Sequence, residues 1–95
     1  IGLPMEPLEP LLRAALSVSP DNGRARRGLV DVLWKAGRRD EAVAEQKILV
    51  AREPDDYDAR KRLADAYRTL GRDAEAWAQM RELARRHPSD ARPLK

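Results

Sequence analysis

The side chains able to do chemistry are few and scattered. One histidine, His87, stands directly before Pro88, the chain has no cysteine, and carboxylate pairs such as Asp55 with Asp56 occur at turns. General acid–base catalysis or metal binding needs such groups converging from several elements. A lone histidine at a proline turn reads as an exposed turn residue, and aspartates there read as helix caps. No glycine-rich phosphate loop, HExxH pair or nucleophile elbow is present. No catalytic, cofactor or metal residue is assigned, and no enzyme activity is expected within these residues. What remains is recognition chemistry, because arginine grips carboxylates through two parallel hydrogen bonds and tryptophan anchors interfaces.

The elements that position those residues are set by a period. Pro20, Pro54 and Pro88 stand 34 residues apart, and residues 20–53 aligned on 54–87 share 13 identities. Self-similarity at this period marks a solenoid, in which each unit buries its apolar face on a neighbour. Leu29, Val32, Leu33 and Ala36 follow helical spacing, Gly37 suits a left-handed helix end, and Asp40 is placed to cap a helix bearing Ala42, Val43, Gln46, Leu49 and Val50. The second unit repeats the design with Leu63, Ala66, Tyr67, Leu70, Gly71, Asp73 as cap, and then Ala76, Trp77, Met80, Leu83 and Ala84. The turns SPDN, EPDD and HPSD each stop one helix with proline and offer Asn or Asp to start the next. The expected organisation is a single domain: residues 7–22 hold the second helix of a partial repeat, 23–56 and 57–90 are full repeats, and 91–95 begin another. Pro7 and Pro10 are expected in or before a first turn, where a missing N–H costs little.

Composition narrows the class. Charged residues make up 37% of the 95, there is no Phe, and the net charge of +3 arises from 19 basic and 16 acidic groups. A small surplus on a mixed surface argues against nucleic acid as the partner, although 15 of the basic residues are arginine. No apolar stretch reaches the roughly 18 to 20 residues of a membrane span. The first ten residues also lack the pattern of a signal peptide. The chain starts with Ile1, so it is expected to be a piece of a longer protein whose compartment stays open.

Counting from Gly23, the first unit places Leu29, Val30, Leu33, Gly37, Ala42 and Pro54 as the tetratricopeptide repeat family places its signature residues. The second matches with Leu63, Ala64, Tyr67, Gly71, Ala76 and Pro88, and the chain resembles that family over residues 23–90 and in part over 7–22. The resemblance implies an all-α fold of antiparallel helix-turn-helix repeats, stacked as a right-handed α-solenoid of about five helices plus a C-terminal stub. Departures fall at Arg26 and Arg60, where the family has an aromatic, at Val30, and at Gln46 and Met80 in the second helices. They are expected to weaken local packing.

Such arrays present first helices along a concave groove. With Leu29, Val32, Leu33 and Ala36 turned inward, helical geometry turns Arg24, Arg27, Gly28, Asp31, Trp34 and Lys35 outward, followed by Asp58, Lys61, Arg62, Asp65, Arg68 and Thr69. Basic residues exceed acidic ones there, so an acidic peptide or helix of a partner protein is the expected ligand. The plainer reading is a solvated face of pairs four apart, Arg27 with Asp31, Asp31 with Lys35, Asp58 with Arg62 and Lys61 with Asp65. Trp34 is either a groove anchor or packed on a neighbouring helix, and Trp77 is expected in the core. Some family members clamp C-terminal carboxylates with Lys, Asn and Arg, but Asp31 and Asp65 stand where that clamp needs a donor, and this function is rejected. The alternative function is structural, a spacer or a module that self-associates through Leu8, Leu11 and Leu12 or through the helix at 76–84.

Overall fold

A computed structural model describes residues 8–88. It holds five helices, α1 (Leu8–Val18), α2 (Gly23–Lys35), α3 (Arg39–Arg52), α4 (Tyr57–Thr69) and α5 (Asp73–Arg86). The chain forms two compact units, one ending at Leu49 and the other starting at Val50. Pro10 lies in the first turn of α1, as its chemistry requires. Pro7, Ser89, Asp90 and the stub at 91–95 lie outside the described residues.

In the first unit, Leu29 and Leu33 of α2 are 1% and 0% exposed and cluster with Ala42 of α3. Leu12 and Leu16 of α1, with Val30 and Trp34 of α2, pack on that cluster. Burying a leucine side chain fully stabilises by about 1.5–3 kcal/mol, so this trio of helices is held chiefly by Leu29 and Leu33. Gly28 marks where α1 approaches most closely, since a methyl placed on it would lie 3.2 Å from Cδ2 of Leu12. In the second unit α4 packs along α5. Tyr57, Ala59, Leu63, Ala64 and Tyr67 of α4 and Ala76 and Leu83 of α5 are buried.

The helices α2 and α4 start and stop identically. The Asn22 side chain accepts from the Ala25 N–H at 3.0 Å, and the Asp56 side chain accepts from the Ala59 N–H at 3.1 Å. These are N-caps satisfying N–H groups that the first turn leaves without partners. At the other end Gly37 and Gly71 have φ of 81° and 75°. The Gly37 N–H donates to the Trp34 carbonyl and the Arg38 N–H to that of Leu33; Gly71 donates to Arg68 and Arg72 to Tyr67. That paired pattern is the Schellman motif, and its left-handed residue favours glycine.

Several sequence expectations require correction. Asp40 and Asp73 do not cap: α3 starts at Arg39 and α5 at Asp73, preceded by Arg72 with no side-chain cap bond. The Schellman turn delivers the chain into α3 two residues sooner and into α5 one residue sooner than those caps would, leaving both aspartates in the first turn, where they still favour the positive end of the helix dipole. Ala36 is exposed because it is the C-cap of α2. Trp77, expected in the core, is 60% exposed. Its position is about 100° around α5 from the buried Ala76, to the side of the helix's buried face. His87 is half-buried, its ring edge-to-face with Tyr57 at 5.4 Å.

Candidate functional site

On α2 the outward residues Arg24, Arg27, Asp31 and Lys35 are exposed and recur every three or four positions along one stripe. The N-cap at Asn22 and the buried Leu29, Val32 and Leu33 fix its orientation. Spread over twelve residues, with a rise of about 1.5 Å between successive ones, it is about 16 Å long. Among the described residues these four side chains form no hydrogen bond or ion pair, so the expected Arg27–Asp31 and Asp31–Lys35 pairs do not form. Two other residues expected in the stripe lie elsewhere. Gly28 faces Leu12 of α1. Trp34 is half-buried on the Leu29–Leu33–Ala42 cluster, with the Arg39 guanidinium 4.8 Å above its ring; it takes the packed reading and is no open anchor.

The stripe on α4 differs. Lys61 Nζ lies 3.1 Å from Asp65 Oδ2, and Arg68 Nη1 is 3.9 Å from Asp65 Oδ1, so one carboxylate serves two cations. Asp58 and Arg62 are exposed on the same helix. An open depression of about 400 Å³ is lined by Asp65, Arg68, Thr69 and Asp73. Asp65 is engaged by its neighbours, and among the described residues the Asp73 carboxylate has no such partner.

Sequence reasoning undervalued Arg26 and Arg60. Neither weakens packing by replacing an aromatic, since both are buried and hydrogen-bonded in the same way. Arg26 donates to Glu45 Oε1 at 2.6 Å and to the Pro20 carbonyl at 2.9 Å. Arg60, 34 residues on, donates to Gln79 Oε1 at 3.0 Å and to the Pro54 carbonyl at 3.1 Å. Each guanidinium ties the turn before its helix to the helix after it. Burial, reinforced by the positive charge of Arg86, pushes the Arg60 guanidinium down from its usual range, since its amide acceptor carries no charge to offset that cost. The signal was the identity of these residues at equal register.

Several other charges pair in surface networks. Arg38 binds Glu41 through two bonds of 2.7 and 2.8 Å and reaches Glu9 of α1 at 2.7 Å. Arg72 grips Glu75 with the same two-bond geometry, 2.7 and 2.8 Å. Hydrogen bonds from Arg13 and Arg38 lower Glu9, and that from Arg38 lowers Glu41. Glu82, bonded by Arg85 and Arg86, is lowered to about 2. Burial raises the Tyr67 hydroxyl. Among the described residues no group of His, Cys, Asp or Glu could hold a metal ion, and no helix is long and apolar enough to cross a membrane.

Helix pairs joined by a two-residue Schellman turn and repeated every 34 residues define a helical-repeat protein. The tetratricopeptide repeat model matches residues 28–91, a second model of the same description matches residues 9–46, and the chain belongs to the tetratricopeptide repeat family. Repeats of this family are generally protein–protein interaction modules. Among solved structures, the MamA AMB-1 C2221 structure is similar at 27% identity with a TM-score of 0.73, over 85% of this chain and 48% of that one. A structure of a MamA mutant is similar at 25% identity with a TM-score of 0.74, over 92% of this chain and 48% of that one. The chain thus spans about half the length of the MamA chains it matches. No curated protein sequence matches it.

Proposed function

We propose that the chain is a non-catalytic interaction module that engages an acidic segment of a partner protein, and that α2 bears the principal contact. The observation that supports this is the difference between the two outward stripes. On α2, Arg24, Arg27 and Lys35 face solvent with one acid, Asp31, and none is paired, whereas on α4 Lys61 and Arg68 are already neutralised by Asp65. A carboxylate arriving at α2 finds arginines whose donors need not first be released from another acceptor. Asp31 in the middle of the stripe disfavours a carboxylate there, so the favoured ligand spaces its acids toward the two ends of α2. Arg62 is exposed on α4, and in this reading the α4 stripe with Asp58, Lys61, Arg62, Asp65 and Arg68 is a separate and weaker surface of its own unit.

A glutamate-rich peptide titrated into the chain at low salt tests the proposal. Arg24→Ala and Arg27→Ala should each weaken binding by about two- to fivefold, the worth of an exposed charge pair. Arg68→Ala should change it less, because removing that cation also frees Asp65. Equal affinity across Arg24→Ala, Arg27→Ala and Arg62→Ala would overturn the reading.

A further inference from the structure

We infer that the acidic group selected by α2 is a phosphate monoester, so that the chain recognises a phosphorylated side chain of its partner protein in preference to a run of carboxylates. The inference rests on α2 being the contact, as proposed above. Arg24 and Arg27 stand three residues apart on α2, both exposed, and among the described residues neither forms a hydrogen bond or ion pair. Side chains at that spacing are neighbours on one helix face, about 5–6 Å apart at Cβ, near enough for both guanidinium groups to meet on one tetrahedral anion. A phosphate monoester carries about −1.5 to −2 charges at pH 7 on three acceptor oxygens, and so takes donors from both arginines at once. A carboxylate has one charge and two oxygens, which a single arginine in two-bond contact already fills.

The distribution of charge along α2 favours one concentrated anion. Asp31, exposed one turn beyond Arg27, repels any second acid brought there, and Lys35 lies a further turn away. A run of carboxylates long enough to use all three cations must cross Asp31, whereas a phosphate places its whole charge short of it. The repeat supplies an internal comparison. One period on from Arg24 and Arg27 stand Asp58 and Lys61, and Lys61 is held by Asp65 at 3.1 Å, so α4 presents no such arginine pair. Each of the other four described helices also carries an acidic residue in its first turn, and α2 carries none. Acids there offset the positive end of a helix; in α2 that end bears Arg24 instead, and a dianion held by the two arginines supplies the missing negative charge. The source of the phosphate is a protein segment, because two arginines on a surface of mixed sign and net charge +3 make no broad basic face for a membrane or a nucleic acid.

The test titrates the 95-residue chain at low salt with one neutral peptide carrying serine, phosphoserine or glutamate at its centre, and with the glutamate-rich peptide. The phosphoserine form should bind about fivefold or more tighter than the glutamate form, and the serine form should not bind. Lowering the pH from about 7.5 to about 5.5 protonates the phosphate, whose second pKa is about 6, and should weaken the phosphoserine peptide severalfold while leaving the glutamate-rich peptide unchanged. Arg24→Ala and Arg27→Ala should each abolish the preference for phosphoserine, and Arg24→Lys should reduce it, since an ammonium keeps the charge but not the paired bonds. Both positions are exposed, so helical circular dichroism should not change in any of the three. If the glutamate-rich peptide binds and phosphoserine gains nothing over glutamate, the phosphate inference falls and the acidic-segment reading stands; if neither peptide binds, both fall. A phosphoserine preference that survives Arg24→Ala and Arg27→Ala overturns the inference. So does a chain that ignores the phosphopeptide but sediments with phosphatidylcholine vesicles containing phosphatidylinositol phosphate.

Discussion

Replacing Arg26 with methionine keeps most of the buried volume and removes both hydrogen bonds that the guanidinium makes. The Glu45 side chain, 19% exposed, then keeps its charge without its partner at 2.6 Å, and the Pro20 carbonyl loses its donor at 2.9 Å. A hydrogen bond to a charged group contributes about 1.5–3 kcal/mol, and an unsatisfied buried acceptor costs about 1–3 kcal/mol. Overlap between these terms and partial access of water to Glu45 bring the expected loss to about 2–4 kcal/mol. In a chain of this size each kcal/mol lowers the melting temperature by about 4–8 °C. Arg60→Met removes the equivalent bonds, but the acceptor left behind is the neutral amide of Gln79, and the expected loss is smaller, about 1–2 kcal/mol. Urea unfolding followed by circular dichroism measures both, and a double-mutant cycle of Arg26→Met with Glu45→Met isolates the ion pair. The double variant should regain part of the loss, because removing both charges spares the cost of a stranded one. If Arg26→Met costs less than about 0.5 kcal/mol, the level of an ordinary surface change, or if Arg60→Met costs more than Arg26→Met, the anchoring role is wrong.

Two further outcomes follow from groups nearer the surface. Glu82 titrates at about 2 in the fold against an ordinary 4.5, and Glu9 and Glu41 are shifted in the same direction. A lowered folded value means that these contributions are complete above the unfolded value near 4.5 and are lost as pH falls through the folded one; melting temperature should therefore drop between pH 4.5 and 2, and less steeply in Glu82→Gln. Gly37→Ala forces a side chain into φ of 81° with no neighbouring atom to clash, so it should cost about 1–2 kcal/mol from backbone strain alone, measured by the same unfolding assay, with Gly71→Ala alike.

What the sequence made legible is what local chemistry decides. Asn22 and Asp56 cap because each follows a proline turn and precedes a helical run, and Gly37 and Gly71 turn left-handed because the Schellman geometry favours glycine there. Leu29, Leu33, Leu63 and Leu83 are buried because their spacing leaves them no other face. Legibility fails where a residue depends on what lies across from it. Asp40 and Asp73 have the right type for a cap, yet the hydrogen bonds of Arg38 and Arg72 to the preceding helix decide where the next one begins. Trp77 shares a register with buried Val43, but burial belongs to the covering element and not to the register. Arg26 and Arg60 were legible as identical residues, while their two acceptors, a backbone carbonyl and a side chain nineteen residues onward, leave no mark of their own in a pattern of apolar spacing. The stripe on α2 was legible as charge, and the absence of pairing within it was not, because i,i+4 spacing permits an ion pair without requiring one.

The two arginine anchors also bear on how such a chain can lengthen. Each draws one acceptor from six residues before and one from nineteen residues after, so Pro20, Arg26 and Glu45 fall inside one 34-residue segment, as do Pro54, Arg60 and Gln79. A tandem duplication cut at the prolines would copy every anchor whole, without having to match it to a complementary residue elsewhere. A single inserted residue between proline and arginine would instead swing the guanidinium about 100° around its helix, away from both acceptors. The two anchors accordingly share one spacing, six residues from proline to arginine in each repeat.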